Sequence, residues 1–243
     1  MLRIKVILTI LALSGVLIAH AGNDAVGARA ARAYAAGEWA SAQALYTVAA
    51  DAEPTSADAA AHMIVSAEMR ADTTVAATAL NRYMSTGSPL EPLLDDVEEL
   101  CYNQGRANMY GSLLLRLTRE VPYLRRPLAL RLLKFYIFRA NPEQTIEYAT
   151  MLLRGQPGDP QYLNAMGKAY MMLGDIGRAV RCFADALTSD PDNREALLAL
   201  GNYYGSLDDA ATALPYLRRA EALAPSEYLE REIERLQNLQ ENE

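Results

Sequence analysis

The sequence predicts an all-α protein built from a repeated pair of helices, because one 34-residue pattern occurs twice in succession. The first copy runs from Pro160 to Pro191, and the second runs from Arg194 to Pro225. Large, small and helix-breaking residues recur at the same spacing in both copies, which is typical of helical repeat arrays. The matching pairs are Leu163 and Leu197, Gly167 and Gly201, Tyr170 and Tyr204, Ala179 and Ala213, Phe183 and Leu217, Ala186 and Ala220, and Pro191 and Pro225.

The same frame continues towards the N-terminus and divides most of the chain into six repeats. Gly37, Gly105 and Gly174 mark the ends of first helices, since glycine readily adopts the left-handed cap. A proline ends most second helices because it cannot continue a helix. These prolines are Pro54, Pro122, Pro157, Pro191 and Pro225. The predicted repeat starts are Asn23, Ala57, Glu91, Arg126, Pro160 and Arg194.

The Gly, Ala, Tyr and Pro positions of the two clear copies resemble the tetratricopeptide repeat family. This resemblance implies a right-handed α-solenoid of about six helix-turn-helix repeats, over residues 22–227. Small residues such as Gly167 and Gly201 are predicted where the two helices of one repeat cross. Phe183 and Leu217 are predicted to fill the space beside these crossings.

Residues 228–243 carry a different pattern, in which Leu229, Ile233, Leu236 and Leu239 share one helical stripe. Charged residues occupy the other side of this predicted helix. The pattern predicts a capping helix that covers the last repeat with a polar outer face. A docking helix for a partner is the alternative interpretation.

Residues 1–21 predict a secretory signal peptide. The basic residues Arg3 and Lys5 precede an apolar run from Val6 to Ala19, and small residues follow at the cleavage positions. The run is shorter than the roughly 20 residues of a membrane-spanning helix, which favours a cleaved signal over an anchor. We therefore expect an exported protein, either periplasmic in a Gram-negative bacterium or secreted, with no integral membrane segment after cleavage.

The charge of the chain bears on its partners. The net charge is −7, and it becomes about −9 when Arg3 and Lys5 are removed with the signal. A net acidic surface argues against nucleic acid or an anionic membrane as the main partner. We therefore expect a protein or peptide partner and no nucleic acid.

Side chains that support catalysis or metal binding are sparse after residue 21. His62 is the single histidine there, so no His and Cys residues occur at metal-ligand spacing. Cys101 and Cys182 fall in predicted helices two repeats apart, which favours buried free thiols over a disulfide. The acidic run Asp95 to Glu99 spreads over more than one helix face, which favours a solvated surface over a cation site. We therefore expect no metal, no cofactor and no enzymatic activity.

The resemblance also implies a binding groove. In this family the first helices line a concave face, and ligands are contacted from positions 2, 5, 9, 12 and 13 of the repeat. Lys134 and Lys168 are the only lysines after residue 21, and both fall at position 9 of adjacent repeats. With Asn164 and Asn202 they predict a polar, cationic patch that holds the acidic part of a peptide. The N-terminal half of the groove is predicted to be acidic and aromatic, with Tyr34, Tyr102, Glu68, Asp95 and Glu99.

Three classes of function follow from these expectations. The first is a non-catalytic scaffold or adaptor that binds a peptide or partner protein in its groove. The second is a structural or assembly factor of the bacterial envelope, which holds outer-membrane or cell-wall machinery. The third is an enzyme or a regulatory subunit of one, and the missing catalytic constellation disfavours it.

Overall fold

The computed structural model describes residues 25–241, and this range contains helices and no strand. The predicted signal peptide, residues 1–21, lies outside the described residues. Short turns separate the helices, and one 3-10 turn, Pro122–Leu124, precedes α7. The helices are α1 (25–35), α2 (Trp39–Ala52), α3 (Ala57–Met69), α4 (Val75–Ser85), α5 (Leu90–Asn103), α6 (Ala107–Glu120), α7 (Arg125–Phe138), α8 (Pro142–Leu153), α9 (Pro160–Met172), α10 (Ile176–Ser189), α11 (Arg194–Ser206), α12 (Ala210–Leu223) and α13 (Glu227–Glu241).

Helices α1 to α12 pair in chain order into helix-turn-helix repeats, and α13 follows the last pair. The predicted all-α fold of such repeats is confirmed. The described residues form two compact units that divide between Arg125 and Arg126. The first unit holds α1 to α6, and the second holds α8 to α13 and all of α7 except its first residue, Arg125.

A residue with a left-handed backbone lies in the turn between the two helices of every described repeat. Glycine was predicted at this position in three repeats, and in the other three the backbone is the same although the residue is not glycine. An L-residue in this conformation costs about 1–2 kcal/mol, so packing of the flanking helices must hold the turn there. The six residues are Gly37, Ala71, Gly105, Ala140, Gly174 and Asp208, with φ between 50° and 75°.

Glycine allows the two helices of a repeat to approach closely in the fifth and sixth repeats. A Cβ atom at Gly167 would lie 2.7 Å from the ring of Phe183. A Cβ atom at Gly201 would lie 2.5 Å from Cδ2 of Leu217. Real Cβ atoms do not approach other carbons so closely, so the predicted role of both glycines at the helix crossings is confirmed.

Helix α13 covers the last repeat. Its residues Leu229, Ile233 and Leu236 are buried in one cluster with Leu214 and Leu217 of α12. Its Arg235 donates a hydrogen bond of 2.8 Å to the backbone oxygen of Gly205 and forms an ion pair of 3.0 Å with Asp208. The predicted capping helix is therefore confirmed. The apolar contacts bury one face of α13, and the polar contacts of Arg235 fix its position on the last repeat.

Four aromatic and imidazole rings pack together in the first unit. His62 of α3 stacks on Tyr46 of α2, with ring centroids 4.4 Å apart, and meets the edge of Tyr34 of α1 at 4.6 Å. Trp39 contacts Tyr34 at 5.3 Å. The single histidine beyond the predicted signal peptide is thus a packing residue between the first two repeats, with Nδ1 at 3.0 Å from the backbone oxygen of Asp58.

A shielded ion pair links the second and third repeats. Arg116 of α6 contacts Glu68 of α3, and the two side chains are 22% and 7% exposed. Arg116 also lies 3.7 Å from Glu120, one turn further along α6. A carboxylate this deeply buried depends on its partner, because water cannot replace the lost charge interaction.

Burial shapes the acid–base chemistry of the first unit. Desolvation raises the pKa of Tyr34 and of Tyr46 from 10.0 to about 12. Desolvation, followed by the nearby Glu68 and Glu98 carboxylates, raises the pKa of the Cys101 thiol from 9.0 to about 12. Both cysteines, Cys101 and Cys182, are free and buried, as the sequence predicted.

We expect the first unit to lose stability as the pH rises from about 9 to about 12. At about pH 8 and below, Tyr34, Tyr46 and Cys101 are protonated in the folded state and almost entirely so in the unfolded chain, so their contribution to stability is nearly complete. Between the unfolded and folded pKa values the unfolded chain releases protons that the folded chain retains, which favours unfolding. Thermal unfolding followed by the fluorescence of Trp39 should show a lower midpoint at about pH 11 than at about pH 8. An unchanged midpoint would contradict the burial of these groups, and Tyr46→Phe should weaken the dependence.

Within residues 25–241, no helix combines the length and the apolar character needed to cross a membrane. In the same range, no group of three or more His, Cys, Asp and Glu side chains is arranged to hold a metal ion.

Candidate functional site

The nine residues predicted to contact a partner belong to both units. Five of them lie in the first unit and four in the second. The first group is Tyr34, Glu68, Asp95, Glu99 and Tyr102, and the second group is Lys134, Asn164, Lys168 and Asn202.

The predicted residues of the first unit are partly structural. Tyr34 is buried in the ring cluster, and Glu68 is held by Arg116. Asp95 and Glu99 are exposed on α5, and Tyr102 is half-buried with its ring 6.5 Å from that of Tyr110. The structure therefore places Tyr34 and Glu68 in the interior of the unit and leaves the two carboxylates of α5 on its surface.

The predicted polar patch of the second unit is largely satisfied from within the chain. Glu195 of α11 uses one carboxylate oxygen to pair with Lys168 and the other to accept a hydrogen bond of 3.1 Å from Asn164. Asn164 is only 2% exposed and also donates a bond of 2.8 Å to Asn193, the N-cap of α11. The charge of Lys168 is therefore balanced by Glu195, and Asn164 fixes α9 against the start of α11.

The other two predicted residues of this unit remain on the surface. Asn202 is exposed on α11 and accepts a hydrogen bond of 3.1 Å from the hydroxyl of Tyr228. Lys134 is exposed on α7 and forms no ion pair with any carboxylate in residues 25–241. Lys134 therefore keeps an uncompensated charge, whereas Lys168 does not.

A pocket of about 380 Å³ opens on the second unit, between α7, α8, α9 and α11. Its surface is mainly apolar, and its polar groups are Lys168, Glu195 and a few uncharged side chains. Of the predicted site residues, Lys168 is the one that lines it. The lining residues are Ile137, Ala140, Asn141, Thr145, Gln161, Ala165, Lys168, Ala169, Met172 and Glu195.

The pocket exists because one face of α9 carries small side chains at its centre. Gln161, Ala165, Lys168, Ala169 and Met172 are spaced by three or four residues along most of this face and share one side of the helix. Ala165 and Ala169 project little volume, so neighbouring helices leave a space above them. The longer side chains at either end of the face form the walls.

The neighbouring helices complete the walls. Ile137 contributes from the end of α7 and is 47% exposed, and Met172 contributes from the end of α9 and is 57% exposed. Asn141 caps α8 by accepting a bond of 3.1 Å from the backbone of Gln144, which fixes the rim beside Ile137. Exposed aliphatic side chains beside an apolar pocket favour the burial of another apolar group.

Among the pocket residues, Lys168 alone belongs to the nine residues predicted to contact a partner. The spacing of the pocket residues on α9 identifies a helix face, but alanines on such a face are equally compatible with a closely packed interior. The sequence indicates Met172 and Ile137 more clearly as pocket residues, because both are large apolar residues near the ends of the first helices of two consecutive repeats. Ile137 falls at position 12 and Met172 at position 13 of their repeats, both positions from which the resemblance implied ligand contacts, although neither belongs to the nine predicted residues.

Two family models of the tetratricopeptide repeat match the second unit, one over residues 160–203 and the other over residues 195–227. These matches confirm the predicted tetratricopeptide repeats in this part of the chain. They include α9 and α11, and therefore the pocket residues Ala165, Lys168, Ala169, Met172 and Glu195.

Several solved structures resemble this chain. PilF of Pseudomonas aeruginosa shares 19% identity with a TM-score of 0.48, covering 90% of this chain and 98% of that chain. The TPR2AB domain of yeast Sti1, in complex with pHSP90, shares 15% identity with a TM-score of 0.40 and the same coverage. YrrB, a TPR protein with an unusual peptide-binding site, shares 14% identity with a TM-score of 0.49, covering 76% and 94%. No curated protein sequence matches this chain.

Proposed function

We propose that this protein is a non-catalytic scaffold or adaptor that binds a peptide segment of a partner protein in the pocket of its second unit. The observation that carries this proposal is the apolar pocket above Ala165 and Ala169, flanked by the exposed Ile137 and Met172. An apolar surface open to water is costly in a monomeric protein, and a partner side chain in the pocket would remove that cost. The matched tetratricopeptide repeats, which contribute α9 and α11 to the pocket, are compatible with such a role.

The proposed function includes export. Its support is the sequence of residues 1–21, in which a basic start, an apolar run and small residues follow one another. The partner would then be another exported protein. Cell fractionation of the full-length protein, with N-terminal sequencing of the purified product, tests this part; recovery from the cytosol with an intact N-terminus would contradict it.

Partner binding should depend on Met172 and not on its neighbour Leu173. Met172→Asp places a carboxylate at the apolar pocket, and a poorly compensated polar group there should weaken binding about tenfold or more. Leu173→Asp is the matched control, because Leu173 is 46% exposed at the end of the same helix and does not line the pocket. The measurement is quantitative co-purification from the native cells, comparing both variants with the wild type.

The expected result is that a defined set of proteins accompanies the wild type and Leu173→Asp but is lost with Met172→Asp. Ile137→Asp should give the same loss from the opposite wall of the pocket. If both Asp variants at the pocket retain the partners of the wild type, the pocket is not the binding surface.

A further inference from the structure

We infer that the pocket selects an extended peptide segment in which a large apolar side chain and a carboxylate are two positions apart. This inference rests on the proposed function and specifies the chemistry of the partner. The apolar side chain enters the pocket, and the carboxylate pairs with Lys134.

The pocket supplies the site for the apolar side chain. Most of its lining is aliphatic, and its volume of about 380 Å³ exceeds that of a single amino-acid side chain. Ala165 and Ala169 form its floor, and Ile137 and Met172 are its exposed walls. Complete burial of a Leu, Met or Phe side chain is favourable by about 1.5–3 kcal/mol, which is enough to anchor a short segment.

The charge beside the pocket favours an acidic neighbour. Helix α7 leads directly to the pocket wall, and its charged side chains are all basic. Lys134 lies three residues before Ile137 and four before Phe138, so the three share one face of the helix. Phe138 is exposed and extends this face beside Ile137. The charged residues of α7 are Arg125, Arg126, Arg131 and Lys134.

The charged pair at the pocket, Lys168 and Glu195, does not favour an acidic group. Lys168 and Glu195 form an ion pair at the pocket, so their charges cancel at a distance. Lys134 has no carboxylate partner in the described part of the chain. Lys134 therefore adds a positive charge about one helical turn from Ile137, and an acidic group there would gain a partner without displacing one.

Helix geometry sets the spacing between the two groups. Residues three apart on a helix have Cβ atoms about 5–6 Å apart, which is the separation expected between Ile137 and Lys134. In an extended peptide, residues two apart lie on the same side and about 6.6 Å apart. An apolar residue and an acidic residue with one residue between them therefore match the pocket and Lys134 together.

The test uses three short fluorescein-labelled Gly/Ser peptides and the full-length protein. The first peptide carries a central Phe with Glu two positions away on each side, the second has Gln in place of both Glu, and the third has Ala in place of Phe. Fluorescence anisotropy gives a dissociation constant for each. We expect the first peptide to bind best, the second about threefold more weakly, and the third with no measurable affinity.

The variants separate the two contacts. Lys134→Gln should weaken binding of the Glu peptide to the level of the Gln peptide and should leave the Gln peptide unaffected. Arg139→Gln is the matched control, since Arg139 is an exposed cation near the same helix end but on another side. The advantage of the Glu peptide should also disappear in 1 M salt, where the screening length is about 3 Å.

Equal affinities of the Glu and Gln peptides, or an equal effect of Lys134→Gln on both, would overturn the inference. Failure of every peptide to bind the wild type would overturn it as well. The proposed function is tested separately, by the loss of native partners with Met172→Asp. If Met172→Asp loses those partners while the Glu and Gln peptides bind equally, the pocket is the binding site and its selectivity for acidic segments is wrong.

Discussion

Replacement of Arg116 by alanine is expected to lower the free energy of unfolding of the first unit by about 3 kcal/mol. The substitution leaves the carboxylate of Glu68 without its partner while its side chain is only 7% exposed. Water reaches this group poorly, so the charge is neither solvated nor paired, and the folded state bears the cost. Urea denaturation followed by Trp39 fluorescence measures the effect, because Trp39 is the single tryptophan of the chain and lies in this unit.

The control is an ion pair of the same chemistry on the surface. Arg82 pairs with Asp51 in the same unit, and the two side chains are 41% and 54% exposed. Water replaces this interaction readily, so Arg82→Ala should cost between about 0 and 1 kcal/mol. Equal effects of the two substitutions would show that burial does not distinguish the pairs. Combining Arg116→Met with Glu68→Met should recover much of the lost stability, because no unpaired charge remains.

Gly167→Leu is expected to lower the free energy of unfolding of the second unit by about 1–3 kcal/mol. The new Cβ atom would lie 2.7 Å from the ring of Phe183, so α9 and α10 must separate or the ring must leave its place. Phe183 is among the fully buried side chains of this unit and has little room to move. Urea denaturation followed by far-ultraviolet circular dichroism measures the change.

Gly177→Leu provides the matched control for this substitution. Gly177 lies near the start of α10, and a Cβ atom there meets no other atom within 4 Å. The same change of residue should therefore be neutral or stabilising by up to about 1 kcal/mol, because leucine favours a helix more than glycine does. A loss of stability with Gly177→Leu as large as that with Gly167→Leu would mean that the close crossing is not the cause.

The fold was predictable because each clear repeat contains residues that mark where its helices end and where they cross. Pro191 and Pro225 end helices, Gly167 and Gly201 mark close crossings, and the common period extends both signals to less clear repeats. The left-handed backbone of Ala71, Ala140 and Asp208 was not predicted, since none of these residues favours that conformation as strongly as glycine does. In those repeats the packing of the two helices, rather than the residue in the turn, determines the conformation.

The candidate site was less predictable because position in a repeat does not reveal the partner of a side chain. Glu68 and Lys168 occupy repeat positions for which the resemblance implied a place in a binding groove. In the structure Arg116, 48 residues away in sequence, pairs with Glu68, and Glu195 pairs with Lys168. These partners become known only when the helices are placed in space. Lys134 occupies the same repeat position as Lys168, but among the described residues it has no carboxylate partner. Equivalent repeat positions therefore differ in whether their charge is compensated.

The pocket over Ala165 and Ala169 has a consequence for chemical intervention. Its volume of about 380 Å³ lies within the range of roughly 300–1,000 Å³ that accommodates small organic molecules. Many protein interfaces are flat and resist inhibition by anything smaller than another protein, whereas a recess of this size concentrates apolar contact area in one place. A compact hydrophobic compound seated against α9 would therefore compete with the peptide segment that we propose for this pocket, and fragment screening is a practical way to find such a compound.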